Sequence, residues 1–196
     1  MKRKSNVEFP YDPESPSIPQ GMYDAWVVGV DHPKAAGSPG FSAFAWEICR
    51  AGTDDFIEGD AKPSDGANSD ESRAIIAAVY RVVEALAPYS SVTIYCRNKF
   101  VVDGINGGVD RWRRNSWRRP DGKPVAHSEI WKRYLSAKEG DESAPRRIDV
   151  VAIHCPKRKP EHREIFDRLA KHAHAAISLH EKTTFNRTGK QEGGQG

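Results

Sequence analysis

The chain has 196 residues, of which 38% are hydrophobic and 29% charged, and its formal net charge is only +3. This length suits one domain with extensions at its ends, and the small net charge excludes a polycation that binds through its whole surface. The apolar runs are too short to span a membrane, and three distant cysteines without a CxxC pair disfavour a disulfide framework or a zinc ribbon. We therefore expect a cytoplasmic protein with reduced thiols and no membrane partner.

The two ends of the chain differ in composition from its middle. Residues 1–22 begin with basic residues, hold four prolines and lack the apolar core of a signal peptide. They are predicted to form a flexible arm. Residues 181–196 are polar and glycine-rich, which predicts a flexible tail. The folded domain is therefore expected to span residues 23–180.

The pattern of the middle region predicts alternating strands and helices. Five segments have the β-branched or alternating composition of strands: 24–31, 41–50, 54–60, 91–96 and 148–155. Four have helical spacing: 70–87, where Ser69 or Asp70 can cap the start, 98–107, 128–139 and 160–181. The order βββαβ, short helices, β, α predicts an α/β fold with a five-stranded mixed sheet and helices on both faces. Acids that end strands of such a sheet lie where ligands usually bind.

Basic and aromatic residues are concentrated in the stretch DRWRRNSWRRPDGKPV, residues 110–125. Arginines form charge-assisted bonds to phosphates, and tryptophans stack on sugars or bases. The same pattern fits an amphipathic helix whose tryptophans pack inward below solvated arginines, and both interpretations can hold together. We expect at least one tryptophan of this stretch in the core. The candidate nucleic-acid-binding residues are Arg111, Trp112, Arg113, Arg114, Trp117, Arg118 and Arg119.

Acidic residues are concentrated in residues 54–71, which contain seven acids and one lysine, Lys62. The simplest interpretation is a solvated loop. The alternatives are that these acids dock a basic protein or mimic nucleic acid.

A longer segment that includes the basic stretch resembles a known family. WRRNSWRRPDGKPVAHSEIWKRYL, residues 112–135, is similar in its tryptophan spacing and DGKPV turn to the basic helical handle of type 1 ribonuclease H. SVTIYCRNKFVVDGI, VGVDHPKAAGSPG and HREIFDRLAKHA resemble other parts of the same family, so the resemblance covers about residues 24–177. It implies an RNase H-like fold with a basic helical handle.

The family resemblance also implies a chemistry and a set of site residues. The family cuts the RNA strand of RNA–DNA hybrids with four carboxylates that hold two divalent metals, usually Mg²⁺. The resemblance places the first carboxylate on Asp31 and the last on Asp167. The aspartate of the fourth strand corresponds to Arg97, and the glutamate of the first helix corresponds to Ile75. Glu71, one helical turn before Ile75, is the residue that could replace the glutamate.

Two expectations for the metal site follow from these replacements. Asp31 and Asp167 can form at most a weak metal site, or they are inherited acids that now pair with Arg97. Arg97 could instead bind a phosphate or an acidic partner at the end of the sheet, although an internal ion pair is the favoured interpretation.

Other positions at which the family contacts its substrate are partly retained. The family's Thr-Asn-Asn at the start of the first helix corresponds to Asp70-Glu71-Ser72, which would repel phosphate. By the resemblance, Ser38, Lys99 and His154 occupy positions that can contact nucleic acid.

The leading hypothesis is an RNase H-like protein that binds an RNA–DNA hybrid or another duplex and is catalytically impaired, because Arg97 and Ile75 replace two carboxylates. The first alternative is an active hybrid ribonuclease that uses Asp31, Asp167 and Glu71 with Mg²⁺ or Mn²⁺. The second alternative is a protein-interaction scaffold in a larger complex.

Overall fold

The computed structural model describes residues 18–31, 41–64, 70–158 and 160–188, with side chains as far as residue 180. These residues form five strands and five α-helices. Their bounds are β1 (Met22–Asp31), β2 (Ser42–Arg50), β3 (Phe56–Pro63), α1 (Glu71–Ala85), β4 (Ser91–Cys96), α2 (Lys99–Asp103), α3 (Val109–Arg114), α4 (Ser128–Glu139), β5 (Asp149–His154) and α5 (Arg163–Thr188). Residues Gly104–Gly108 join α2 to α3 through a wider helical turn, which kinks at Asn106 and Gly107.

The strands form one mixed sheet in the order β3-β2-β1-β4-β5. β1 pairs antiparallel with β2 and parallel with β4, so Val27 faces Trp46 on one side and Cys96 on the other. β5 pairs parallel with β4, and β3 pairs antiparallel with β2. The predicted five-stranded mixed sheet is confirmed.

The sheet buries both of its faces because apolar residues lie on both sides of the central strands. Ala25 and Val27 of β1 belong to a large core with α1, α2 and α4, whereas Trp26 belongs to a smaller cluster with α5. An ion pair ties α5 to the sheet. Glu47 of β2 is 8% exposed, and Arg168 contacts its two carboxylate oxygens at 2.6 and 2.8 Å. The prediction of helices on both faces is confirmed.

Asp70 caps the start of helix α1, and Ile18 contacts the backbone at the end of this helix. The side chain of Asp70 accepts a hydrogen bond from the Arg73 amide at 2.8 Å, and this contact satisfies one of the free amides of the first turn. Asp70 is therefore the cap, and Ser69 lies outside the described residues. At the other end, the Ile18 amide donates to Ala85 and the Ile18 carbonyl accepts from Ala87.

Some boundaries differ from the predicted ones. Ile18, in the predicted arm, is buried beside the end of α1, so the domain includes the last residues of that arm. β3 starts at Phe56 rather than residue 54, because the Arg50 amide donates to the Asp55 carbonyl and closes a turn first. Helix α5 continues to Thr188, into the predicted tail. The arm before residue 18 and residues 189–196 lie outside the described part.

The outer edge of β5 is closed by a side chain. The Asn106 amide nitrogen donates to the Ala152 carbonyl at 2.8 Å, and the Ala152 amide donates to the Asn106 side-chain oxygen at 2.9 Å. These two bonds imitate a neighbouring strand and fix the turn between α2 and α3 to the sheet. Among the helices that the structure describes, none is both long and apolar enough to cross a membrane.

Gly104 offers a test of how the handle region is attached to the core. A Cβ atom on Gly104 would lie 2.7 Å from two atoms of the Trp131 indole. We expect Gly104→Ala to lower the free energy of unfolding by about 1–3 kcal/mol, because the ring or the helix must move. Urea denaturation measures this change. In a Trp131→Phe background, which lacks that part of the ring, the added cost should be much smaller, and equal costs in both backgrounds would contradict a steric clash.

Candidate functional site

The predicted functional residues fall on two surfaces. The first, the strand-end site, is the edge at which β1, β4 and β5 end, together with the starts of α1 and α5. The second, the handle, comprises residues 109–125, that is, α3 and the turn that follows it. Strand ends and helix starts form the first surface, and a helix with a turn forms the second. The two surfaces differ in how many of their charged side chains are paired.

Parallel pairing brings the strand ends together. Because β1, β4 and β5 run in the same direction, their carboxyl ends lie at one edge of the sheet. Asp31 is the last residue of β1, Arg97 follows β4, and His154 is the last residue of β5. Both Asp31 and His154 are exposed. This arrangement agrees with the predicted location of a ligand site in such a sheet.

Helix α1 packs closely on β1 beside this edge. A Cβ atom on Gly29 would lie 2.5 Å from the Glu71 carbonyl oxygen and 2.8 Å from the side chain of Ile75, so this contact requires glycine. Ile75 is 2% exposed and belongs to the large core. The side chain that corresponds to the family's glutamate therefore has an apolar, buried environment. Glu71 is exposed in the first turn of the helix.

Arg97 lies between an aromatic ring and a carboxylate. Its Cζ atom is 4.4 Å from the centre of the Phe166 ring, and one of its nitrogens is 3.6 Å from the Asp167 carboxylate. The other oxygen of Asp167 is 3.6 Å from Arg163, one turn earlier in α5. Two guanidinium groups thus share one carboxylate. The expected pairing of Arg97 is present at Asp167, whereas Asp31 forms no ion pair with any residue of the described ranges.

The residues present do not fit the two-metal carboxylate set of the family. At the two positions that the family resemblance assigns to carboxylates, Arg97 brings a fixed positive charge and Ile75 an alkyl group. Both oxygens of Asp167 face arginines. Within the part of the chain that the structure describes, His, Cys, Asp and Glu form no group of three or more that could hold a metal ion.

Asn98 fixes the backbone beside Arg97. Its side-chain oxygen accepts from the Val101 amide at 3.2 Å and caps α2, and its amide nitrogen donates to the Ser72 hydroxyl at 3.1 Å. The start of α1 and the start of α2 are thereby linked through the residue after Arg97. Asp70 also has a second structural contact, because its Oδ2 atom lies 3.2 Å from Nε2 of His127. Of the three residues that the family resemblance places at Thr-Asn-Asn, Asp70 and Ser72 therefore have structural partners.

The handle rests on tryptophan rings. The Trp112 ring lies 5.7 Å from the rings of both Phe100 and Trp131, and Trp131 is fully buried. Trp112 and Trp117 pack against the large core but are half-buried. The expectation that one tryptophan of the basic stretch lies inside the core is therefore wrong. The turn after α3 leaves both rings at the surface of the core, and Trp131 of α4 fills the interior.

Only the first part of the basic stretch is helical. Helix α3 ends at Arg114, because Ser116 and Trp117 have φ values of 49° and 60°, which an α-helix does not contain. The chain then turns back, and the Val125 amide donates to the Trp117 carbonyl at 2.9 Å. The interpretation of the whole stretch as one amphipathic helix is wrong beyond Arg114.

The five arginines of the handle are all exposed, but their partners differ. Arg113 pairs with Glu139 at 2.7 Å, and Arg119 pairs with Asp121 at 3.0 Å. Arg118 donates to a backbone carbonyl and keeps its charge unpaired. The side chains of Arg111 and Arg114 have no ion pair or hydrogen bond within the described residues. The handle therefore holds both neutralised and available guanidinium groups.

The remaining predicted residues lie apart from these contacts. Lys99 pairs with Asp103, one turn later in α2, at 2.8 Å. Ser38 lies outside the described residues. Sequence reasoning missed Arg163 and Phe166 as partners at the strand-end site. The four-residue spacing of Arg163 and Asp167 on a predicted helix was a usable signal, whereas the contact of Phe166 with Arg97 depends on the tertiary fold.

Comparison with known proteins identifies the family. The RNase H family model matches residues 37–175, which include Ile75, Arg97 and Asp167 but begin after Asp31. This chain belongs to the RNase H family. Residues 37–175 are more than half of the chain, so the assignment does not depend on the handle alone.

Individual relatives are distant. Ribonuclease H of Roseobacter denitrificans is 28% identical over 98 residues, which are 50% of this chain and 65% of the relative. Ribonuclease H of Rhodospirillum rubrum is 38% identical over 66 residues, which are 34% of this chain and 40% of the relative. The matches thus span less than two thirds of either relative. A solved foamy viral protease–reverse transcriptase in complex with RNA/DNA hybrid shares the fold, with a TM-score of 0.58 and 15% sequence identity. The match covers 88% of this chain and 22% of that chain.

Thiol reactivity tests the environment of the strand ends. Burial raises the pKa of Cys96, at the end of β4, to about 12, and burial beside Glu47 raises the pKa of Cys49 to about 11. Both thiols stay protonated well below these values and react slowly. At about pH 8 we expect dithionitrobenzoate to modify only the half-buried Cys155 rapidly in the folded protein, and all three thiols in urea. A Cys155→Ser variant should lose the rapid phase, and a second rapid thiol would contradict the buried position of Cys96.

Proposed function

We propose that this protein binds RNA–DNA hybrids, or another nucleic-acid duplex, through its handle, and that it is catalytically impaired compared with the active members of its family. The observation that carries the proposal is an exposed arginine surface together with a strand-end site that holds a guanidinium, Arg97, and a buried alkyl group, Ile75, where the family resemblance expects carboxylates.

The binding half of the proposal is supported by the charges of the handle. Arg111 and Arg114 are exposed and have no acidic partner in the described ranges, so they are available to phosphates. Each phosphate that an arginine neutralises releases condensed counterions, which favours binding at low salt. The half-buried rings of Trp112 and Trp117 hold the backbone of this surface against the core. The structural relative solved in complex with an RNA/DNA hybrid shares the fold that presents it.

The impaired half of the proposal is supported by the chemistry of the strand-end site. A guanidinium does not ligate a divalent metal, and its fixed charge repels one. The carboxylate of Asp167 is shared by Arg97 and Arg163, so a metal would have to compete with two cations for it. Ile75 supplies no oxygen and lies in the core.

A second candidate function is hybrid hydrolysis in Mg²⁺ or Mn²⁺ by Asp31, Asp167 and Glu71. Two observations favour it: the relatives are ribonucleases H, and the chain keeps Asp31 and Asp167 and has Glu71 one helical turn before Ile75, with Asp31 and Glu71 exposed beside the strand-end site. The metal in this case would be held by fewer carboxylates than the family uses, and Arg97 would remain beside it.

The handle arginines can be tested by salt dependence. We expect Arg111→Gln with Arg114→Gln to weaken duplex binding and to reduce the slope of log affinity against log salt by about 1.8, because two phosphate contacts are lost. The measurement is fluorescence anisotropy of a labelled RNA–DNA hybrid over a salt series. Arg50→Gln with Arg147→Gln removes the same charge from exposed residues at the opposite end of the sheet and is the matched control.

The outcome separates the hypotheses. Equal slopes for both double variants would remove the handle from duplex binding. No salt-sensitive binding by the wild type would reject the proposed function and favour a protein-interaction scaffold.

Hydrolysis can be tested directly on the same hybrid. We expect the wild-type protein to leave the RNA strand uncut in Mg²⁺ and in Mn²⁺, whereas Arg97→Asp with Ile75→Glu should create or greatly raise cleavage, because it restores the two missing carboxylates. Thermal unfolding must accompany this variant, because Ile75 is 2% exposed. Cleavage by the wild type that disappears in Asp31→Asn would establish the second candidate function.

A further inference from the structure

The guanidinium group of Arg97 is held in place without a hydrogen bond to any described residue. Its guanidinium lies over the Phe166 ring with 4.4 Å between Cζ and the ring centre, and Phe166 is itself 1% exposed. The backbone beside it is fixed by the two side-chain bonds of Asn98. In the described part of the chain, the Arg97 side chain forms no hydrogen bond. Its contact with Asp167 is 3.6 Å, which is longer than a charge-assisted hydrogen bond.

The guanidinium is reachable and incompletely neutralised. The side chain of Arg97 is 20% exposed, so solvent reaches part of it. Asp167 is its one carboxylate partner among the residues described, and that carboxylate also faces Arg163 at 3.6 Å. Two positive groups against one negative group leave a local excess of positive charge. The exposed acids Asp31 and Glu71 on neighbouring elements offset this charge over the edge as a whole but do not pair with Arg97, so the excess is confined to the contact of the two arginines with Asp167.

The position of Arg97 connects the strand-end site to the handle. Helix α2 begins two residues after Arg97, and the turn that follows α2 leads directly into α3 and its arginines. A duplex carries phosphates continuously along both strands, so a duplex bound to the handle presents further phosphates to neighbouring surfaces. Arginine is the side chain best suited to such a contact, because its planar donors match two oxygens of one phosphate.

We propose that Arg97 binds a backbone phosphate of the duplex directly, at the place where related enzymes hold metal ions, so that contact with the strand-end site requires no divalent metal. This inference rests on the proposed function, because it presupposes that a duplex binds. It goes beyond the proposed function, which places binding on the handle, because it assigns a phosphate-binding role to the residue at a position where the family resemblance expects a catalytic carboxylate. Asp167 then acts as the counter-charge that a phosphate displaces.

The test is the affinity for a labelled RNA–DNA hybrid of the full chain in EDTA, over a salt series. We expect Arg97→Gln to weaken binding about tenfold at moderate salt and to reduce the salt slope by about 0.9, the value of one phosphate contact. Arg97→Lys should restore most of the slope but only part of the affinity, because it keeps the charge and loses the planar fork. Arg50→Gln, an equal change of charge at the far end of the sheet, should change neither quantity.

A second variant changes the affinity in the opposite direction. Asp167→Asn removes the carboxylate that competes with the phosphate for Arg97, so we expect it to bind the hybrid more tightly than the wild type in EDTA. This variant keeps the inference testable if Arg97→Gln unfolds, which thermal unfolding would reveal. Affinity that Mg²⁺ strengthens in the wild type but not in Asp31→Asn would overturn the inference, because a metal would then mediate the contact.

The two proposals fail differently. If the wild type binds and the handle variant loses affinity, but Arg97→Gln keeps the wild-type affinity and slope, the role of Arg97 is rejected and the proposed function stands. If Asp167→Asn binds more weakly than the wild type, the role of Arg97 is likewise rejected. If the wild type binds no duplex at any salt concentration, both proposals are rejected.

Discussion

The close contact between α1 and β1 governs the arrangement of the strand-end site. Gly29 has no side chain, so the backbone of Glu71 and the side chain of Ile75 approach β1 directly. This contact sets the depth of the helix on the sheet and places Ile75 in the core. A carboxylate at position 75 would have to be desolvated or reach the sheet edge, and this cost is not offset unless a metal or a basic group pairs with it.

The site and the handle illustrate two ways to hold an arginine. Arg97 is stacked on a buried ring and shares a carboxylate, so its direction is set by the core. Arg111 and Arg114 extend from a short helix that is itself fixed by Trp112 and Trp131. In both cases aromatic packing holds the arginine, through the guanidinium of Arg97 and through the helix that carries Arg111 and Arg114, and leaves guanidinium donors accessible. Phosphate recognition requires this combination of rigid attachment and exposed donors.

Pairing within the handle also limits what its composition implies. Five arginines in nine residues suggest a strongly cationic surface, yet Arg113 and Arg119 are each neutralised by an acid. Glu139, the partner of Arg113, comes from the end of α4 and is distant in sequence. The effective charge of the surface is therefore smaller than a count of residues indicates, and it is concentrated at Arg111, Arg114 and Arg118.

The sequence by itself determined the class of fold, because strand alternation, helical spacing and the order of elements are local properties. The family resemblance, read from the sequence, also gave the expectation that Arg97 and Ile75 stand at two carboxylate positions. The tertiary structure decided which charged side chains form pairs and which stay accessible. Arg163 and Asp167 lie four residues apart on α5, but the pairing of Asp167 with Arg97, the stacking of Arg97 on Phe166 and the half-burial of Trp112 and Trp117 depend on elements that are distant in the chain. Such contacts arise from packing, which the periodicity of a sequence does not encode.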